Sequence, residues 1–411
     1  MRKSYKHVNK PLLFLVLGIL ISLEPLTIYV YLPAFVEIAE SLNTPIKKIQ
    51  LTLTFYLLGI VIGQISYGPL LDRFGKKPPL IFGLILYVFS SLICYFVNNI
   101  EQIIILRLLQ AIGGCSGVVT IRAIVRDIYS PQKFARVFSY LILISGLSPI
   151  FAPFIGNAIL KNFEWQTIFL FLSAYGLICL ILTILFIPET KGSNHNEKIR
   201  HIFKKYYGIL QDQNFVVNCL AAGAMMACLM SFMTNSPFLY LQHYKISANS
   251  YAFIFSINAL GFVLFTQINN YFLKKISLEK LTNKLIFIPG ICGGILIIIS
   301  FFTDNILIIS ILIFILISIC GALNANTSAL AMAKHMNQTG SASALVGTLQ
   351  FLIASIFSFL SNFFENNSAQ LVIILIGSCG ILCFIVRKFF AKKIYKGRII
   401  QNPQATPLSQ L

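Results

Sequence analysis

Polar residues are sparse along most of this chain and gather at intervals. Between them run apolar stretches of about 20 residues, the length a helix needs to cross the hydrocarbon core of a bilayer. Twelve such stretches stand out: 12–33, 49–71, 79–97, 102–123, 137–160, 167–187, 214–236, 251–273, 285–302, 305–331, 342–362 and 369–388. The pattern predicts twelve transmembrane helices. The runs are continuously apolar instead of alternating, which argues against a membrane β-barrel. The first run begins after Lys10. It is too long for a secretory leader and lacks a small-residue cleavage site, so it reads as a span.

The longest hydrophilic stretch between spans is 188–213, and it divides six spans from six. It opens with Pro188-Glu189-Thr190, which suits a helix stop. Two six-helix halves facing each other across a midplane cavity is a recurrent transporter layout. The expected organisation is therefore an all-α membrane protein. Its first bundle covers 1–187 and its second 214–390, joined by a loop over 188–213 and followed by a polar tail over 391–411.

Composition supports this. Of 411 residues, 57% are hydrophobic and 11% charged, and the mean hydropathy is +0.81. Soluble domains carry about 25% charged residues, so a soluble enzyme, a disordered chain and a fibrous one are all excluded. The net charge of +19 would suggest nucleic acid in a soluble protein. Here position decides otherwise. If both termini are cytoplasmic, the inner segments hold 26 Lys and Arg, and the outer loops hold four: Lys47, Lys48, Lys161 and Lys245. That is the positive-inside bias, and it needs no nucleic-acid partner. The nine cysteines lie in apolar stretches without a CxxC pair, and the five histidines lie outside them. Neither set suggests a metal site. There is no P-loop, so ATP bound by this chain is not the expected energy source.

Several motifs carry more information. After span two comes Gly68-Pro-Leu-Leu-Asp72-Arg73-Phe-Gly75-Lys76-Lys77-Pro78. Span four carries Arg107-Leu-Leu-Gln110-Ala-Ile-Gly113-Gly114, with the Arg and Gln on one helix face. Span five carries Gly146-Leu-Ser-Pro149-Ile-Phe-Ala152-Pro153-Phe-Ile-Gly156-Asn157. These resemble motifs A, B and C of the major facilitator superfamily. Ala111 departs from motif B, and Ala152 and Asn157 depart from motif C. The resemblance implies that Asp72 accepts from the N-terminus of span eleven, near Ser341 and Ser343, and so latches the two halves. It also implies that the proline-rich motif in span five marks an antiporter.

Pro25-Leu-Thr-Ile-Tyr29-Val-Tyr31-Leu-Pro33-Ala34, Arg122-Ala-Ile-Val-Arg126-Asp127, Ser236-Pro237-Phe238, Asn258-Ala-Leu-Gly261 and Gly340-Ser-Ala-Ser-Ala-Leu-Val-Gly347-Thr-Leu-Gln350 together narrow the resemblance. They look like the bicyclomycin/chloramphenicol-resistance (Bcr/CflA) drug–proton antiporters. That subfamily usually has Asp where Tyr29 stands, and a phenol does not release its proton near neutral pH.

Glu24 is the one carboxylate expected deep inside a span, ~18 Å along the first helix. It is five residues from Tyr29, about 140° around the helix, so it does not take over the same face. Arg107 enters from the other side, at a depth that differs by only ~6 Å. Charges in the bilayer normally face the bundle interior and pair. Glu24 and Arg107 are therefore the proton-coupling candidates, the alternative being a fixed pair that only orients helices. Tyr29, Gln110, Asn235, Asn258, Asn326 and Gln350 are the cavity candidates.

The expected function is proton-driven export of small amphipathic compounds by alternating access, with no cofactor beyond the proton gradient. The chain is expected to act as a monomer in the bacterial inner membrane. Proton-coupled uptake of a nutrient on the same fold is the alternative. A sensor that binds without flux is the other. An enzyme is not expected, because intramembrane catalytic groups do not cluster.

Overall fold

The computed structural model describes residues 10–128, 131–188, 206–335, 339–361 and 368–390. Every regular element among them is a helix. Twelve helical segments are long and apolar enough to cross a membrane. In chain order, as spans one to twelve, they are Pro11–Ser41, Ile46–Leu71, Lys77–Phe96, Ile100–Val125, Ile144–Asn162, Gln166–Phe186, Gln213–His243, Ala248–Phe272, Leu278–Ile299, Ile306–Met332, Ser341–Leu360 and Ala369–Phe390. The expected tail, and the expected loop up to residue 205, lie outside the described residues. Below, the near side is the one that carries the start of span one, and the far side is opposite.

Each span matches an expected apolar run, and the differences have physical causes. Span one does not stop at Pro33. It passes through a 3-10 turn, Leu32–Ala34, into the helix Phe35–Ser41. Pro33 sits at the start of that turn, where its missing N–H costs little. Span seven likewise passes Pro237 into a π-helix, Phe238–His243. Both spans reach 31 residues. Span nine starts early, through the short helix Leu278–Leu285, which buries Leu281 and Thr282 and leaves Lys280 and Lys284 exposed.

In the first half, span four packs on spans two and three, span six on three, and span one on four, five and six. In the second half, span seven packs on ten, eleven and twelve, span nine on twelve, and span eight on ten. Between the halves, span two lies along span eleven and span five along span eight. On the far side the extended ends of spans one and seven touch each other. The end of span seven is anchored beyond the membrane. His243 Nε2 lies 2.7 Å from Asp304 Oδ2, and the Tyr244 hydroxyl donates to Asp304 Oδ1 at 2.8 Å. Burial and the Asp304 carboxylate push the Tyr244 phenol up, so it stays a donor.

Lipid tails are as apolar as the helices, so association depends on close packing, which small residues allow. At Gly59 of span two, an added Cβ would lie 2.5 Å from the Leu108 carbonyl oxygen and 2.7 Å from Ala111 Cβ of span four. Gly294 of span nine has nothing within 4 Å of that position. Gly59→Ala is therefore expected to cost about 1–3 kcal/mol through overpacking, and Gly294→Ala to be neutral or mildly stabilising. Thermal unfolding of both purified variants in detergent checks this; equal melting temperatures would contradict the close span two–span four contact.

Candidate functional site: a charged centre in the first half

Arg107 comes off span four and is fully buried. Its guanidinium lies between two aromatic rings, 4.5 Å from the Tyr31 centroid and 4.4 Å from that of Tyr56. Nη1 donates to Gln110 Oε1 at 2.5 Å, and Gln110 Nε2 donates to Ser91 Oγ at 2.7 Å. Tyr31 is fixed in turn by a 2.9 Å bond to Thr52. The spacing of Arg107 and Gln110 places both on one face, so the cation and its acceptor belong to the same helix. A guanidinium desolvated over two aromatic faces gains the most that cation–π attraction offers.

Glu24 is buried in span one. The cation whose charge acts on it is Arg122, near the other end of span four. No ion pair joins Glu24 to Arg107. Tyr56 stands within electrostatic reach of both. In place of the expected Glu24–Arg107 pair, Arg107 has the two tyrosines and Gln110 as partners, and Glu24 feels the charge of Arg122. Arg107 turns its guanidinium toward Tyr31 and Tyr56, which similar depth along the helices did not reveal.

Arg122 also reaches across the molecule. Its Nη1 donates to Ser343 Oγ of span eleven at 3.3 Å. Other contacts cross between the halves. Gln50 Nε2 donates to Asn235 Oδ1 at 3.2 Å. Ser358 of span eleven lies 2.8 Å from Thr54 Oγ1 and 3.1 Å from Thr234 Oγ1. Gln50, Thr54, Thr234 and Ser358 carry no signature in the sequence that separates them from ordinary span residues.

The cavity candidates fall in different settings. Tyr29 packs edge-on to Phe255 of span eight, with centroids 5.6 Å apart, and Phe255 stacks on Phe232 of span seven at 5.7 Å. Asn235 is part of the far-side contact with Gln50. Asn258 donates to its own helix at Ile254 O and keeps a buried Oδ1 without a partner. Gln110 is spent on Arg107 and Ser91. Asn326 forms a reciprocal amide pair with Asn269, at 2.8 and 2.9 Å, which ties span ten to span eight. Gln350 donates to Ser328 Oγ at 2.8 Å. The structure therefore gathers Tyr29 and Asn235 along the seam between the halves, and uses Gln110 and Asn326 inside one half.

In motif A, Gly75 has φ 84°, a region glycine enters without strain. Gly68 faces Tyr206, Arg73 lies 5.2 Å over the Phe74 ring, and Lys76 is buried. The Asp72 side chain lies outside the described residues. In motif C, Pro149 and Pro153 sit inside a continuous helix, Pro131–Asn162. Gly156 lets span five approach span one so closely that an added Cβ would lie 2.3 Å from Val30 O. Beside the prolines, Ser256 of span eight donates to Ile150 O at 2.8 Å. Asn157, one of the departures from the motif, donates to Asn249 of span eight at 2.5 Å. The proline-rich segment thus packs span five against both span one and the opposite half. Among the described residues no three His, Cys, Asp or Glu come together to hold a metal.

Twelve spans in two six-helix halves that meet along a seam, with a charged centre in the first half, define a secondary transporter of the two-bundle type. The chain belongs to the Major Facilitator Superfamily, whose sequence profile matches residues 17–359. It is 27% identical over 386 residues to a bicyclomycin resistance protein homolog of Haemophilus influenzae, covering 93% of this chain and 97% of that one. It is 32% identical over 359 residues to the MFS-type transporter YdgK of Bacillus subtilis, covering 86% and 89%. It is 23% identical over 372 residues to the multidrug resistance protein MdtL of Citrobacter koseri, covering 89% and 93%. Among solved structures it resembles the nucleoside transporter NupG, with a TM-score of 0.72 at 13% identity, over 92% of this chain and 99% of that one. The last likeness establishes the fold.

Arg107→Lys keeps the charge but loses the planar stack and the fork geometry. It is expected to lower stability by about 1–3 kcal/mol and to leave proton binding at Glu24 in place. A melting curve with a pH-dye readout of substrate-induced proton release separates the two; unchanged stability with lost proton release would return Arg107 to the proton site.

Proposed function

We propose that this chain exports small amphipathic compounds across the bacterial inner membrane in exchange for protons, by rocking its two halves around a central site. The observation that carries the reading is a carboxylate, Glu24, buried in the middle of span one and within electrostatic reach of a cation, Arg122, that touches the opposite half. A proton-binding group that feels a cation in contact with the other half changes its electrostatic environment when the halves move, which is what coupling needs. Two of the relatives bear the names of bicyclomycin and multidrug resistance proteins, which supports efflux as the direction and amphipathic compounds as the cargo.

In this reading Glu24 holds the proton, and Tyr29 with Phe255 and Phe232 gives aromatic surface for substrate near the seam. Asn235, Asn258 and Gln350 supply hydrogen bonds. Motif A, through Asp72, steadies one of the two states. Both termini lie in the cytoplasm, as the positive-inside bias implies. The chain works alone, without cofactor or nucleic acid, on the proton gradient.

Purified full-length protein in proteoliposomes that enclose a pH dye tests this, with bicyclomycin and chloramphenicol as probes under an imposed pH gradient. Proton movement opposite to probe movement is expected, and Glu24→Gln is expected to abolish it. Movement in the same direction would make the protein an importer. Coupled exchange that survives in Glu24→Gln would move the proton site elsewhere.

A further inference from the structure

We propose that the near-side corner between spans nine and twelve holds the headgroup of an anionic phospholipid, with Lys284 and Lys388 as its phosphate contacts; nothing in this depends on which residue carries the proton. Lys280, Lys284, Phe287, Ile291, Ile295 and Ile298 are spaced by three or four residues, so they share one face of span nine. All six are exposed. The opposite face, with Ile286, Pro289, Gly293 and Leu296, is buried. Gly290 packs on span twelve, where an added Cβ would lie 2.8 Å from Phe384 Cγ. The exposed face is therefore the one turned to lipid. Its apolar part, from Phe287 to Ile298, runs ~16 Å, about one leaflet's share of a ~30 Å hydrocarbon core. Lys284 and Lys280 follow one and two turns further toward the near side, at the level where headgroups lie.

Span twelve adds the third cation. Lys388 Nζ lies 4.7 Å from the Phe384 centroid, 5.2 Å from that of Phe287 and 6.0 Å from that of Phe389. Phe287 and Phe384 are themselves in edge contact, with centroids 5.3 Å apart. Phe287 is also the next residue after Lys284 on the lipid-facing stripe, so both lysines border the same exposed ring. Lysine suits such a boundary, because its stem covers apolar surface while its ammonium reaches the polar layer.

Among the described residues no ion pair involves Lys280, Lys284 or Lys388. The corresponding corner of the first half is different. There spans three and six pack on each other as nine and twelve do. Lys77, at the start of span three, donates to Ile184 O near the end of span six at 2.8 Å. That lysine is used inside the protein, whereas the second half turns its lysines outward, toward the anionic surface of a bilayer. The positive-inside bias asks for lysine on this side. It does not ask for an aromatic cradle beside an exposed apolar stripe. Charge complementarity therefore selects a phosphate that carries chains: the ammonium groups meet the phosphate, and the stripe below them meets an acyl chain.

The test uses purified full-length protein in detergent, with phosphatidylglycerol, phosphatidylcholine and inorganic phosphate as probes. Native mass spectrometry reads the lipid retained, and a melting curve reads its effect on stability. Phosphatidylglycerol is expected to be retained in preference to phosphatidylcholine and to raise the melting temperature. Lys284→Gln combined with Lys388→Gln is expected to lower its retention on the order of tenfold. Lys284→Arg combined with Lys388→Arg is expected to keep it, since arginine also pairs with phosphate. Lys274→Gln combined with Lys275→Gln, in the turn before the stripe begins, is expected to leave retention unchanged. Equal losses in the two Gln pairs would overturn the proposal, because they mark a diffuse basic surface. A rise in melting temperature with inorganic phosphate that matches the lipid's would also overturn it, because it marks a site for a free anion. Equal retention of the two lipids by the wild-type protein would do the same and needs no variant to fold.

Discussion

A charge among apolar helices is tolerated only where the protein itself solvates it. This constraint organises the first half of the molecule. Arg107 is solvated by two tyrosine faces and a glutamine, and those partners come from spans one, two and four. Holding one guanidinium therefore fixes three helices against each other. Glu24 and Arg122 lie in the same bundle, and the charge of Arg122 acts on Glu24. The second half is built differently. Its intramembrane polar groups are mostly amides and hydroxyls, such as the Asn269–Asn326 pair. Its buried cation, Arg387, donates to Asn218 at the near-side end.

The division of labour follows from chemistry. Amides can both donate and accept, so a reciprocal pair closes on itself and fastens spans eight and ten together. A carboxylate changes its charge with a proton, whereas a guanidinium keeps its charge throughout. The first bundle thus holds a buried carboxylate and a buried cation, and the second a closed amide pair that joins two of its spans. The seam between them is held by contacts from both.

Much of the fold was legible in the pattern of apolar runs, because a bilayer leaves the backbone few options. Every span was visible, and so was the depth of Glu24. What escaped was the direction in which side chains turn. Arg107 and Glu24 lie at similar depths, and depth alone paired them. Tyr31 and Tyr56, both one-sided neighbours of Arg107, were the overlooked signal, since aromatic rings can accept a buried guanidinium without an acid. The apolar runs were drawn to 33 and 236, yet helix continues past Pro33 and Pro237. Gln50, Thr54 and Ser358 look like any polar residue in a span until the halves are brought together.

The extended far ends of spans one and seven have a consequence for the medium they face. The described hydrogen bonds that join the halves there, Gln50–Asn235, Thr54–Ser358 and Asn157–Asn249, involve only uncharged groups. Mobile ions do not screen such bonds, and acid does not neutralise them. The seal on this side therefore keeps its strength when the salt or acidity of the water it faces changes.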